Sequence, residues 1–559
     1  MQKVWNIKKY NEEEIDKISN KYNISKCLAK LLKAREVEDI DMYLNGTLKD
    51  LRDPFLLKDM QKIVDRIKLA INKKEKICIY GDYDVDGITS ITIMYKFLSD
   101  LGLDVMYYLP DRLQEGYGVN NEALDKIKKE GVSLVITVDC GITAIDEVEY
   151  AKSLGLDIAI TDHHECTENL PSALAIINPK QKDDNYPFKM FAGVGVAFKV
   201  LSALAISLNM ESESYLKYLD IVAIGTISDI VPLLDENRII SKEGLKQVAN
   251  TKNEGIKAML RVINFKDIDS TMVSFGMAPR INACGRMGDA SIAVKLLLEE
   301  SEENAKELAE KLDSLNIKRQ EVEKNIFEKA VNTIENEGYK QKNSIVLYDE
   351  NWHNGVIGIV ASRLVNIYNK PVVLFTKEND VVRGSGRCPN GFSLYDALTE
   401  SKEYLIQFGG HELAAGMSIE EENIPLFREE FEKIVTQNMK DLVQVIDVDM
   451  EIKKSDLGVQ ILKDINRIKP YGQANNTPLF LYKGLKIHSI RTLKEEKHLK
   501  FTLQDERVLL EALAFSQGAR RDDVRLGDKI DVLCNVEINS YNTPRTIQLI
   551  LQDFKKTVD

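Results

Sequence analysis

Paired cysteines, long apolar runs and a basic excess are all missing from this chain of 559 residues. Its seven cysteines include no Cys-x-x-Cys pair. That argues against zinc ribbons and a disulfide framework, and for a reducing cytoplasm. No run approaches the roughly 18 apolar residues of a membrane span. The opening Met1-Gln2-Lys3-Val4-Trp5-Asn6 leads into charged, helix-like sequence with no signal core. The expectation is a cytoplasmic protein with no membrane contact. The net charge is −13, so any contact with nucleic acid has to come from a local groove and not from the charge of the whole chain. Histidine is scarce, with six in all, which makes two in tandem notable.

The length predicts three or four domains. A hydrophobic content of 44% and a charged content of 29% describe a globular protein. Residues 1–70 read as short helices, with apolar residues at helical spacing in Ala29-Lys30-Leu31-Leu32-Lys33 and Ile63-Val64-Asp65-Arg66-Ile67. From 71 to 300 the β-runs Val105–Tyr108, Leu134–Val138, Ile158–Ile160 and Leu174–Ile177 alternate with helical runs. This alternation predicts a mostly parallel sheet with ligands beyond the carboxyl ends of its strands. Residues 301–338 form a connector helix. Its core, 302–336, carries Leu308, Leu312, Leu315, Arg319, Val322, Ile326, Ala330 and Ile334 on one stripe, apolar except for Arg319. A smaller α/β region covers 339–440, and short strands from 441 to 559 suggest a barrel of the OB type.

Asp82, Asp84 and Asp86 stand two apart in Gly81-Asp82-Tyr83-Asp84-Val85-Asp86-Gly87, directly after Ile77-Cys78-Ile79-Tyr80. A solvated turn is the plain alternative, but acids so close repel one another unless a cation holds them. An EF-hand loop does not fit, because its twelfth position is Ile93 and a strand precedes it. Val138-Asp139, Thr161-Asp162-His163-His164 and Ser228-Asp229 also follow short β-type runs, so four acidic motifs are expected at strand ends around one crevice. Asp139 and Asp229 alone are unremarkable, and a helix cap with two surface histidines is the alternative for Asp162-His163-His164. Together they suit a pair of hard divalent ions that hydrolyse phosphate esters.

Two arginine-bearing segments suit phosphate. Arg280-Ile281-Asn282-Ala283-Cys284-Gly285-Arg286 carries two guanidinium groups, which meet phosphate bidentately; a surface turn is the other reading. In Arg383-Gly384-Ser385-Gly386-Arg387 the glycines would bring backbone N–H groups close to an anion. His411, after Gly409-Gly410, either contacts phosphate or packs at a turn.

These motifs together resemble the DHH phosphoesterase superfamily, in its bacterial RecJ branch of single-strand-specific 5′→3′ exonucleases. Asp82-Tyr83-Asp84-Val85-Asp86-Gly87, Val138-Asp139-Cys140-Gly141, Asp162-His163-His164, Ser228-Asp229-Ile230-Val231-Pro232-Leu233 and Arg280–Arg286 are similar to its successive motifs. Gly409-Gly410-His411-Glu412-Leu413-Ala414-Ala415-Gly416 is similar to the glycine-rich element of the associated DHHA1 domain. Cys284 and Cys388 depart from the small Ala and the Ser that relatives often carry.

The resemblance implies a parallel-sheet DHH domain, a long helix, a smaller α/β DHHA1 domain and an OB-like barrel, with a groove between the lobes. It implies that Asp82, Asp84, Asp86, Asp139, His163 and Asp229 hold two ions, Mn²⁺ or Mg²⁺, with Asp139 bridging. His164 and Arg280 would face the scissile phosphate, and Asp162 would orient a ligand. Asn282 and Arg286 would join the substrate contacts. Ser385 and Arg387, with Arg112, would form a pocket for the 5′ end, and Arg383 and His411 would join the substrate contacts. It further implies release of mononucleotides from single-stranded DNA in recombination and repair, by a monomer assisted by a helicase and a single-strand-binding protein. A small-substrate phosphoesterase and a catalytically silent scaffold are the rival readings. The terminal domains argue against the first, and the complete set of acids against the second.

Overall fold

The computed structural model describes residues 3–110, 118–378, 380–438, 444–539 and 546–558. The first α/β region is built on a five-stranded parallel sheet ordered Asp104–Tyr108, Lys76–Gly81, Val132–Val138, Asp157–Thr161, Ala175–Ile177. Its strands are apolar on both faces because helices cover both. Along Lys76–Gly81, Ile77 and Ile79 enter one core, while Cys78 and Tyr80 enter another. From this strand the chain steps to Asp104–Tyr108 on one side and then returns to Val132–Val138 on the other. A reversal of strand order opens a crevice at the carboxyl ends of the two diverging strands. Asp82 and Asp139 follow those two strands directly.

The apolar run before Asp229 is not a strand, contrary to expectation. It is the helix Leu219–Ser228, and Leu219, Ile221, Val222, Ala223, Ile224 and Ile227 are all buried. A helix enclosed on every side has no polar face, so it lacks the 3.6-residue stripe that identifies helices in sequence.

The connector helix spans Glu302–Asn336, as its spacing predicts. Leu308, Leu312 and Leu315 pack into the first lobe, whereas Val322, Ile326, Ala330 and Ile334 pack into the second. Arg319 stands between the two sets. It bonds to Glu323 and to Asn316 (2.7 Å), and Glu323 also accepts from Arg363 at 2.7 Å. The second lobe carries a five-stranded sheet ordered Leu405–Gly410, Ala414–Ile419, Val381–Arg387, Val372–Glu378, Ile345–Tyr348.

The C-terminal strands Phe480–Leu493, His498–Asp505, Val508–Ala514, Thr546–Lys556 and Lys529–Asn539 follow one another in the sheet, and the first also pairs with the last, which closes a barrel. Residues 1–70 divide between two cores. Ile15, Leu28, Leu31 and Tyr43 share one with Phe480 and Tyr482 of the barrel, while Met60, Ile63 and Ile67 pack on the parallel sheet. The strand Lys3–Ile7, which the helical spacing did not reveal, pairs in parallel with Gln444–Val448.

Arg238 joins these parts. It is 2% exposed. It donates to the carbonyls of Tyr43 (2.8 Å), Ile468 (2.9 Å) and Arg467 (3.0 Å), and its guanidinium lies 3.9 Å from the centre of the Tyr43 ring. Burial lowers its pKa, yet three carbonyls and an aromatic face replace the lost water. Arg238→Ala removes a donor from each of these carbonyls, although Asn475 Nδ2 still donates to Ile468 O at 2.7 Å. A loss of about 3 kcal/mol is expected, at roughly 1–3 kcal/mol per buried group left unsatisfied. Arg238→Lys should recover only part of it, because an ammonium cannot present the same fork. Thermal melting with limited proteolysis at 440–480 checks this, and an unchanged melting temperature would overturn it.

Candidate metal centre and substrate groove

Backbone geometry aims each acid into the crevice. Asp84 caps the helix Val85–Asp100, accepting from Asp86 N at 2.9 Å and Gly87 N at 3.1 Å through one oxygen. Asp86 accepts from Gly193 N (2.5 Å) and Val194 N (2.8 Å) at the start of another helix, Gly193–Ser207. Positive helix ends thus face the carboxylates. Asp139 adopts a left-handed backbone with φ 59°, which Asp tolerates better than most residues. A Cβ on Gly193 would lie 2.6 Å from Asp139 Oδ1, so only glycine fits beside that carboxylate.

The ligand atoms form three overlapping groups, Asp82–Asp84–Asp139, Asp86–His163–Asp229 and Asp139–His163–His164, each with its atoms within 4.8 Å of one another. They meet where His163 Nε2 lies 3.1 Å from Asp139 Oδ1, with Asp86 and Asp229 oxygens each at 3.7 Å. Asp162 stands behind. It accepts from the amides of Ile142 (2.9 Å), His163 (2.7 Å) and His164 (3.1 Å), and pairs with His164 Nδ1 at 2.7 Å. The side chain it orients is therefore His164.

Electrostatics match a cation site. Burial, then the Asp84 charge, pushes Asp86 up to about 7; burial, then Asp86 and Asp84, pushes Asp229 up to about 9. Burial and four neighbouring acids raise Asp139 well above its ordinary value. Burial, with the charge of His164, lowers His163 to about 3, which leaves a neutral imidazole, the form that binds metal. Burial opposes charge on His164, yet its bond to Asp162 raises its pKa. The bond from His164 and the nearby charges likewise outweigh burial at Asp162 and lower its pKa. His163 Nε2 and Asp229 Oδ2 are buried without a hydrogen-bond partner among the described residues. Acceptors crowded in this way fit divalent cations.

The segment around Arg280 is neither loop nor surface turn. It is the helix Ala278–Met287, packed so closely on the first acidic motif that a Cβ on Gly285 would lie 3.1 Å from the Tyr83 carbonyl. Arg280 pairs with Asp313 of the connector helix at 2.8 Å. Arg286 donates to Gly355 O of the second lobe at 3.0 Å, and Asn282 is half-buried on the same helix. Arg383-Gly384-Ser385-Gly386-Arg387 is also not an anion-binding loop. It is the strand Val381–Arg387, paired on both sides, so its backbone N–H groups serve the sheet. Arg383, Ser385 and Arg387 share one face by the period of two, while Gly384 and Gly386 sit against Phe375 and Leu394 on the other. Arg387 donates to Ser385 Oγ at 3.1 Å and to Gly386 O at 2.7 Å. His411 is exposed on the hairpin whose strand pairs Ala414 with Arg387. Arg112 lies outside the described residues.

Sequence reasoning missed the Gly193 and Val194 amides and Asp313. The glycines of Ala192-Gly193-Val194-Gly195 ahead of an apolar helix were a legible sign of a helix start facing an anion. Nothing local signals Asp313.

The raised carboxylates set a pH dependence for the metal-free protein. The folded state keeps protons on Asp86 and Asp229 that the unfolded chain, with ordinary values near 3.8, gives up. Stability is therefore fully present below the ordinary range and falls as pH rises through about 7 and about 9. In EDTA the melting temperature should fall across that window, and Mn²⁺ should restore it with release of protons. Scanning fluorimetry checks this; a flat profile in EDTA, or no shift with Mn²⁺, would overturn it.

Three family models match in order: DHH family, N-terminal domain, at residues 76–226; DHHA1 domain at 341–437; and RecJ OB domain at 448–553. The single-stranded-DNA-specific exonuclease RecJ of Bacillus subtilis (strain 168) is 37% identical over 98% of this chain and 70% of its own length. That of Haemophilus influenzae is 33% identical over 97% of this chain and 98% of its own. The crystal structure of RecJ from Thermus thermophilus in complex with Mn²⁺ superposes with a TM-score of 0.87 at 28% identity, covering 100% of this chain and 80% of that one. The same protein with Mg²⁺ gives 0.82 at 27% identity. With its acidic crevice, its two lobes and its terminal barrel in that order, the chain belongs to the RecJ family of DHH proteins.

Proposed function

We propose that this protein is a single-stranded-DNA-specific 5′→3′ exonuclease that releases mononucleotides by two-metal phosphodiester hydrolysis, in DNA recombination and repair. The observation that carries the reading is the set of ligand groups meeting at Asp139 and His163, 3.1 Å apart. Asp82 and Asp84 would hold one ion, Asp86, His163 and Asp229 the other, and Asp139 both. Bound there, Mn²⁺ or Mg²⁺ supplies an activated water and neutralises charge on the phosphate.

The chain's own residues do the rest. His164, held by Asp162, presents its second nitrogen to the crevice with a raised pKa, and so serves as a proton-bearing donor to a phosphate oxygen. Arg280 would contact the scissile phosphate, with Asn282 and Arg286 beside it. Arg383, Ser385 and Arg387 would take the 5′ end, with His411 and Arg112 at its margin. The barrel would hold the incoming strand by stacking and backbone charge, which is sequence-tolerant. The protein acts as a cytoplasmic monomer, assisted by a helicase and a single-strand-binding protein.

Digestion of 5′-labelled single-stranded and blunt duplex DNA with Mn²⁺, Mg²⁺ or EDTA tests the reading. Mononucleotides should appear from the labelled end of the single strand only, and not in EDTA. Equal cutting of duplex, or activity in EDTA, would sink it. Asp139→Asn keeps the left-handed backbone and should remove nearly all activity while raising the melting temperature of the metal-free protein. Retained turnover with unchanged Mn²⁺ affinity would exclude a bridging role.

Arg387→Ala should weaken 5′-phosphate binding by about 1.5–3 kcal/mol, a loss of roughly 10- to 100-fold, because such hydrogen bonds are charge-assisted. The Mn²⁺ titration should not move. Assaying 5′-phosphate and 5′-hydroxyl ends side by side decides the point; an unaltered preference removes Arg387 from the pocket.

A further inference from the structure

Arg280 has five N–H donors, and the fold already occupies three. Nε and Nη2 both reach Asp313 at 2.8 Å, and Nη1 donates to Gly276 O at 2.8 Å. Gly276 belongs to the π-helical turn Val273–Met277, immediately ahead of the Arg280 helix. Asp313 sits on Glu302–Asn336, one turn before Asn316 and nearly two before Arg319, where that helix passes from one lobe to the other. A guanidinium is planar, so the Asp313 oxygen shared by Nε and Nη2 and the Gly276 carbonyl at Nη1 fix its plane. They leave one N–H on each terminal nitrogen. That remaining edge is the fork which meets two oxygens of a phosphate.

We propose that Asp313 is a positioning residue. It presets Arg280 with its free edge toward a DNA phosphate, and thereby ties that contact to the connector helix. The inference rests on the reading of Arg280 as a phosphate contact. Its cost is visible in the chemistry: a carboxylate near bound DNA repels the backbone, so Asp313 is useful only if the orientation it imposes outweighs that repulsion. Both side chains are partly exposed, Arg280 at 17% and Asp313 at 26%, so removing either leaves no buried charge unpaired.

A double-mutant cycle on single-stranded DNA separates the possibilities. In the wild-type background Asp313→Ala should lower kcat/KM on the order of 10- to 100-fold, the scale of losing a preset geometry. In the Arg280→Ala background the same substitution should change little. Asp313→Asn, which keeps the accepting oxygen, should recover much of the loss, and the Mn²⁺ titration and melting temperature should stay near wild type throughout. An equal loss in both backgrounds would make Asp313 merely structural and overturn the proposal, as would turnover at or above wild type in Asp313→Ala. Wild-type turnover in Arg280→Ala would instead overturn the placement of Arg280 itself, and the inference with it.

Discussion

Carboxylates gathered in a buried crevice repel one another, and the first lobe is arranged around that repulsion. Asp84 and Asp86 are each held by backbone amides at a helix start, and Asp162 by three amides and an imidazole. These contacts fix the carboxylates without neutralising them. On the far side of the crevice, Asp229 Oδ2 is buried with no donor among the described residues. The pKa values of Asp86, Asp139 and Asp229 rise accordingly. Only a multiply charged cation relieves all of them at once.

The two histidines illustrate how neighbours divide the chemistry. Adjacent in sequence, with ring centres 4.4 Å apart, they move in opposite directions. His163 is enclosed among acids yet stays neutral because burial dominates, whereas His164 gains a paired carboxylate and holds its proton more tightly. The same side chain at adjacent positions is thus given opposite proton affinities by its neighbours.

Long-range architecture supports the crevice from outside. One helix contributes to the cores of both lobes, and its polar middle carries Asp313, Asn316, Arg319 and Glu323 between them. The ends of the chain join in one body through the barrel core and the pairing of Lys3–Ile7 with Gln444–Val448. Arg238 links that body to the first lobe. The seating of that body on the first lobe therefore depends on contacts between segments more than 190 residues apart in sequence, such as Arg238 with Tyr43.

Local pattern alone determined much of this protein: the strands that end at Asp82, Asp139 and Asp162, the limits of the connector helix, and the acids and histidines of the crevice. These are legible because a strand buried on both faces reads as a short apolar run and a half-buried helix as a stripe. The pattern misassigned the run before Asp229, since a helix buried all round has no stripe, and it read the Arg383 glycines as offering backbone N–H groups to an anion, whereas they serve close packing in a strand. Only the tertiary structure decided which acids lie together, that Asp162 pairs with His164, that Gly193 and Val194 hold Asp86, and that Asp313 holds Arg280. Apart from Asp162 with His164, those pairings join residues on separate elements. A sequence records the chemistry of each side chain, but the distance between two of them is set by how the elements between pack.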